Sequence, residues 1–360
     1  MSDSILKKEV MALKQTLGRS IVIPAHHYEM DEIVQMADFL GDSYKLAVDC
    51  AAADAEYIVF CGVMFMAEGA ALLAKPHQKV VIPDMRAGCP MAEMISAVQA
   101  EEIHTTLSAM CDKEIIPIVY MNSYADMKAF CGARGGTVCT SSNASRIVKH
   151  FLDQGKSVFF APDYNLGINT ANQLKLNREQ IVTVRQDLSI EGDPKGAEMF
   201  VWDGFCHVHK VFTVDDIDSL RQQYSDSREH GSSKINIIVH PECHESVVKA
   251  ADYSGSTSMI WNSVKNGEPG SVWAIGTELR FVERMADQFK DKTILPLRRS
   301  ICHNMSKITL EKLGATLKSV ESHASDGTKE LPNEITVAKE YRDDARKALQ
   351  LMIDIVERGR

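Results

Sequence analysis

Apolar runs of four to seven residues alternate along this chain with longer stretches whose apolar positions recur every three or four residues. The short runs, among them IVIPA, YIVF, KVVIP, IIPIV, SVFFA, INIIV and TILP, read as buried strands, and the longer stretches as amphipathic helices. That rhythm predicts βαβ units with parallel sheets. In the first part, SIVIPA is expected as a strand, MDEIVQMADFLG and SYKLAVDCAAADA as helices, YIVF as a strand, FMAEGAALLAK as a helix and KVVIPD as a strand. Further helices are expected at MAEMISAVQAEEIHTTLSAM, TVDDIDSLRQQY and ITLEKLGATLKSV. A last helix should start near Pro332 and run to about Arg360. Its apolar positions Ile335, Ala338, Tyr341, Ala345, Leu349, Met352 and Val356 give it one face to dock on the body.

The same four-part phrase occurs three times, each copy closing on a cysteine: Cys89, Cys206 and Cys302. The copies are IVIPAHHY, GDSYKLAV, YIVFCGV, VVIPDMRAGC; then IIPIVYMN, TSSNASRIV, SVFFAPDY, MFVWDGFC; then INIIVHPEC, GSTSMIWNSV, SVWAIGTE, TILPLRRSIC. Such repetition decides architecture before any single residue does. It divides the α/β chain into repeats at 1–88, 89–205 and 206–301. Segment 302–360 packs back on the body, its helix at 330–360 joining the first repeat. If the repeats pack around a pseudo-threefold axis, three thiolates can meet at its centre. The second copy is longer between Asp163 and its cysteine, 43 residues against 27 and 26 in the others. The excess, NQLKLNREQIVTVRQDLSIEGDPKG, reads as a polar surface excursion, and SDSREHGSSK at 225–234 as a connector.

Composition narrows the function. A net charge of −9 over 360 residues recommends neither nucleic acid nor an anionic membrane as partner. The first residues carry charges without an apolar stretch, and no apolar run is long enough to span a bilayer. Nine cysteines without clustered spacing suit a reducing cytosol better than a disulfide framework, so a cytoplasmic protein is expected.

Polar groups crowd the carboxyl ends of the first strand of each copy: His26, His27 and Tyr28; Tyr120 and Asn122; His240 and Glu242. In parallel α/β structures that edge is where ligands bind. Each copy also places a hydroxyl in a turn before a helix, at Ser43, Ser141 and Ser256–Thr257. These serines read as helix N-caps, and helix N-termini also suit carboxylate or phosphate. The three cysteines would suit a metal ion or cluster with a position left open. Structural zinc would want a fourth ligand and CxxC pairs, and none of the nine cysteines forms one. A [4Fe–4S] cluster on three cysteines leaves one iron free to act on a substrate oxygen.

At these residues the chain resembles the quinolinate synthase family of NAD biosynthesis. The matching stretches are PAHHYEMDEIVQMADFLGDS, FCGVMFMAEGAALL, VIPDMRAGCPMA, VYMNSYADMKA, CTSSNA, WDGFCHVH, VHPEC, GSTSMI, GTE and ICHNMSKITLEKL, in the family's order from about Ile21 to Leu313. The resemblance implies three α/β/α sandwich domains around a pseudo-threefold axis, with the active site and a [4Fe–4S] cluster at the centre. It implies condensation of iminoaspartate with dihydroxyacetone phosphate to quinolinate, releasing phosphate and water. It also suggests a link to L-aspartate oxidase or aspartate dehydrogenase as the source of the imine. The family's cluster cysteines match Cys89, Cys206 and Cys302. Its catalytic residues match Tyr28, His209, His240 and Glu242, and its substrate-binding residues match His26, Ser43, Tyr120, Asn122, Ser141, His209, His240, Glu242, Ser256 and Thr257. The chain departs from the family's usual residues at His27, Gly69 and Asn165, and lacks the CxxCxxC run some members carry.

On this reading the open iron acts as a Lewis acid. Glu242 and Tyr28 transfer protons, the Glu242 carboxyl having its pKa raised by enclosure. His209 and His240 meet carboxylate or carbonyl oxygens, and the hydroxyls hold phosphate and carboxylates. The alternatives are another [4Fe–4S] dehydratase or lyase on the same scaffold, or a non-enzymatic iron–sulfur sensor. A sensor would have no use for Glu242, Tyr28 and the serines.

Overall fold

The computed structural model describes residues 3–226 and 235–357. The connector proposed at 225–234 falls almost wholly outside the described residues.

The first part runs α1 (Asp3–Leu17), β1 (Ile21–Val22), β2 (Pro24–His26), α2 (Asp31–Val34), β3 (Phe39–Gly41), α3 (Ser43–Ala52), β4 (Tyr57–Val59), α4 (Met64–Leu73) and β5 (Lys79–Val81). Strands β1, β4 and β5 form one parallel sheet, and β2 pairs in parallel with β3. An Ala25–Cys61 bridge ties β2 to the chain leaving β4. The sequence reading placed Phe39–Gly41 at the end of a helix, and this is corrected. After one turn of α2 the Asp38 carboxylate accepts the Ile23 N–H at 2.8 Å, pulling the next residues alongside β2 as a strand.

The middle part is larger: α5 (Ala97–Met110), β6 (Ile115–Tyr120), α6 (Ala125–Gly132), β7 (Thr137–Cys139), α7 (Ala144–Leu152), β8 (Ser157–Ala161), α8 (Tyr164–Gln173), β9 (Ile181–Val184), β10 (Ile190–Glu191) and β11 (Met199–Trp202). Its six strands lie in the order β10-β9-β11-β8-β6-β7, parallel except for β10. The expected polar excursion is therefore partly core. IVTV at 181–184 is wholly buried and pairs with β11, and only the hairpin onto β10 is peripheral.

The third part holds α9 (Val214–Asp226), β12 (Ile235–Val239), α10 (Glu245–Ala250), β13 (Tyr253–Ser254), α11 (Thr257–Lys265), β14 (Val272–Gly276), α12 (Leu279–Gln288) and β15 (Thr293–Pro296). Its sheet is parallel throughout, in the order β13-β12-β14-β15. Continuous apolar runs such as IIPIVY and VWAIG are buried along their whole length, as strands covered on both faces require.

Helix α13 (Leu310–Ser325) lies on α1, and α14 (Lys339–Glu357) packs chiefly on α6. The last helix starts later than expected because a turn at Pro332–Asn333 leads into an antiparallel bridge between Glu334 and Val81. Ile335 donates to the Val80 carbonyl and Ile82 to that of Asn333, adding this segment to the edge of β5. Tyr341 consequently stays exposed. The close α6–α14 crossing depends on Gly132, where a Cβ would sit 1.8 Å from the Asp344 carbonyl oxygen. No helix among the described residues is long and apolar enough to cross a membrane.

Candidate active site

Parallel strands leave their carboxyl ends on one edge, and the chain loads that edge with polar side chains. Strand β2 ends at His26, just before Tyr28. Strand β6 ends at Tyr120, just before Asn122, and β12 stops just before His240 and Glu242. All of them line one cavity. Ser43, Ser141 and Thr257 join them from the turns that open α3, α7 and α11, and His209 enters from the loop after β11.

The expected caps hold only at Ser256, whose Oγ accepts the Met259 N–H at 3.4 Å. Ser256 does not line this cavity and faces a neighbouring groove instead. At α3 the cap is Asp42, which accepts the Lys45 N–H at 2.9 Å. Near α7 the Asn143 Oδ1 accepts the Thr140 N–H at 2.7 Å. Ser43 and Ser141 are thus relieved of capping.

A hydrogen-bonded chain crosses the floor of the cavity. Tyr120 Oη donates to Glu242 Oε1 at 2.5 Å, and Glu242 Oε2 lies 2.8 Å from His209 Nδ1. His209 Nε2 is 3.0 Å from Thr277 Oγ1, which is 2.7 Å from Tyr28 Oη. A carboxylate can only accept, so a neutral His209 carries its proton on Nδ1 and accepts from Thr277 at Nε2. His240 stacks on His209 with ring centroids 4.4 Å apart, and its Nε2 reaches Ser141 Oγ at 3.2 Å. Thr277 was missed from the sequence, although the GTE stretch that carries it stood among the matched motifs.

Burial alone would push the Glu242 carboxyl up. His209 and His240, together with hydrogen bonds from His209 and Tyr120, outweigh it and hold the group below the usual carboxylate range. The expectation of a raised Glu242 is therefore corrected: enclosure is present, but so are its donors. Burial, then His209, pulls His240 down to about 3, so it is neutral, and burial keeps the Tyr28 and Tyr120 hydroxyls protonated.

Cys89, Cys206 and Cys302 line the same cavity, each half-buried and free, from three separate loops. Glu278, also unassigned by sequence, accepts the Cys302 N–H at 3.3 Å, and Tyr124 Oη lies 3.5 Å from the Cys89 nitrogen. Burial pushes the Cys89 thiol up to about 12 and that of Cys302 to about 11, and raises Cys206 as well. Thiolates there would need a cation among them. A second donor set overlaps: Cys206 Sγ, a His209 nitrogen and a Glu242 oxygen lie within 4.8 Å of one another and could hold a metal ion. Binding there would compete with the His209–Glu242 hydrogen bond. No Lys or Arg among the described residues lines the cavity.

The family model for quinolinate synthetase A protein matches residues 8–354. The chain belongs to that family. Relatives named quinolinate synthase are 42% identical in Geobacillus sp. (strain WCH70), over 98% of this chain and 94% of the relative. In Streptomyces coelicolor the identity is 42%, over 98% and 89%. In Haloarcula marismortui it is 40%, over 94% and 88%. Among solved structures, apo D-lactate dehydrogenase from Escherichia coli matches at a TM-score of 0.20 and 11% identity. That match covers 93% of this chain and 98% of the other, and the similarity is too low to bear on the fold. Membership of the quinolinate synthetase A family makes this protein an enzyme.

Proposed function

We propose that this protein is a quinolinate synthase that condenses iminoaspartate with dihydroxyacetone phosphate, releasing phosphate and water, in NAD biosynthesis. The observation that carries the reading is the meeting, in one cavity of a family member, of three free thiols and a Tyr28–Thr277–His209–Glu242 chain. The common strand order supports three α/β/α units, at 1–88, 89–205 and 206–301, around a pseudo-threefold axis. In the second and third units the order is second-first-third-fourth, with β9 and β10 appended to the second.

The donor set fits a [4Fe–4S] cluster: three thiols from distant loops, mutually unbonded, in a cavity otherwise poor in cationic side chains. Cys89, Cys206 and Cys302 would hold it, and when bound it supplies an iron able to polarise a substrate oxygen as a Lewis acid. Its open iron would also offer a substrate carboxylate a coordination site in a cavity that no lysine or arginine among the described residues lines.

The protein's own groups then move protons. Ring formation needs protons taken from carbon and given to departing oxygens. Tyr28 Oη, neutral and buried, can give its proton through Thr277 to His209 Nε2 and recover it. Ionised Glu242 fixes the His209 tautomer and balances the imidazolium that forms. Glu242 thus orients and neutralises, and the direct proton carriers are Tyr28 and His209. His240 Nε2–H, Asn122, Tyr120, His26 and the hydroxyls of Ser43, Ser141 and Thr257 bind and orient the two substrates. Ser256 acts through the helix it caps. Enclosure protects the imine from water. Iminoaspartate is short-lived, so an aspartate-oxidising enzyme, an L-aspartate oxidase or aspartate dehydrogenase, must supply it. Nine free thiols suit a reducing cytoplasm.

The test is quinolinate formation by anaerobically purified protein given freshly generated iminoaspartate and dihydroxyacetone phosphate. Formation dependent on both substrates is expected. Its absence from protein with a full cluster would overturn the reading.

A further inference from the structure

Lys128 on α6 has no exposed surface, yet it takes no part in the chemistry above. Its Nζ donates to the Met121 carbonyl at 3.2 Å and, more closely still, to that of Ser123. These two carbonyls flank Asn122, the residue that β6 delivers to the cavity. The Asn122 Oδ1 is buried and meets no donor, so its polar end is left for a ligand. The Phe65 ring, which also lines the cavity, lies 5.7 Å from the same Nζ. The ammonium therefore stands directly behind two neighbouring pieces of the cavity wall. Ser123 Oγ completes the bend by donating to the Tyr120 carbonyl at 2.8 Å.

A buried ammonium is costly unless its donors are satisfied. Here two of its three hydrogens go to backbone carbonyls of a single bend. We infer that Lys128 is a positioning residue that clamps the 121–123 bend so that Asn122 and Tyr120 meet the substrate in register. The role rests on the proposal that Asn122 binds substrate. The groups acting on Lys128 are Glu68 from α4, and Asp126 and Cys131 on its own helix. Burial outweighs them and brings the ammonium down to about 8, so the clamp should loosen in mildly alkaline solution.

The test is quinolinate affinity, read from the perturbation of the metal-centre spectrum in anaerobic, loaded protein. Lys128→Met should weaken affinity about tenfold, as should Asn122→Ala, and the double variant should be no weaker than Asn122→Ala alone. Wild-type affinity in Lys128→Met, or penalties that multiply, would overturn the inference. If Lys128→Met fails to fold, the pH profile decides. Wild-type affinity should fall above about pH 8, and Lys128→Arg should move that limb upward. A flat wild-type profile, or an unmoved limb, would equally overturn it. Wild-type protein that makes no quinolinate would instead refute the functional proposal, and the positioning role would fall with it.

Discussion

Glu242 Oε2 and His209 Nδ1 lie 2.8 Å apart, both side chains buried, joining the loop after β12 to the loop after β11. The contact ties two residues 33 positions apart into one hydrogen-bonded pair. With Tyr120 donating to its other oxygen, the carboxylate is held ionised.

Replacing Glu242 by Gln keeps the shape and an acceptor for His209 but removes the charge that stabilises a protonated imidazole. Turnover should fall by about 10²–10⁴-fold, while metal content and quinolinate affinity stay near wild type. Steady-state kinetics with iron analysis checks this. Near-normal turnover would leave His209 needing no counter-charge and remove Glu242 from the mechanism.

Thr277 Oγ1 lies 2.7 Å from Tyr28 Oη and 3.0 Å from His209 Nε2, bridging the two. Thr277→Val removes the bridging hydroxyl at constant shape and should lower kcat by about 10²-fold with little change in KM, whereas Thr277→Ser should recover most of it. Tyr28→Phe should behave like the valine variant. Equal losses in Thr277→Ser and Thr277→Val would point to packing instead of proton relay.

Stability should fall on the acid side. Burial brings His27 from an ordinary value of 6.5 down to about 4, and its ring lies 5.2 Å from that of Phe281. As pH drops below 6.5 the unfolded chain takes up a proton that the folded one refuses, costing on the order of 3 kcal/mol at pH 4. His240, at about 3, adds to the same slope. His27→Phe should flatten the fall in the urea midpoint between pH 6.5 and 4. An unchanged slope would show that His27 is protonated in the folded state at little cost.

Much of this was legible in the chain because parallel strands fix where side chains go. Residues just past IVIPA, IIPIV and INIIV had to share an edge, and His26, Tyr28, Tyr120, Asn122, His240 and Glu242 do share one cavity. What escaped was set by partners distant in sequence. Phe39–Gly41 is a strand because Asp38 reaches back to Ile23, and IVTV at 181–184 is core because β11 lies beside it. Nothing local marks Thr277, whose partners Tyr28 and His209 come from distant parts of the chain. The direction of the Glu242 shift depended on donors from two other loops, which no local pattern reveals.

The most direct measurement is quinolinate formation and iron content together, in wild type and in Cys89→Ser, Cys206→Ser and Cys302→Ser, with Cys50→Ser and Cys111→Ser as controls. The account predicts an oxygen-labile iron–sulfur cluster and quinolinate synthesis in wild type and both controls. Both properties should be lost or crippled in each of the three ligand variants. A Cys206→Ser protein with a full cluster and normal quinolinate formation would contradict it.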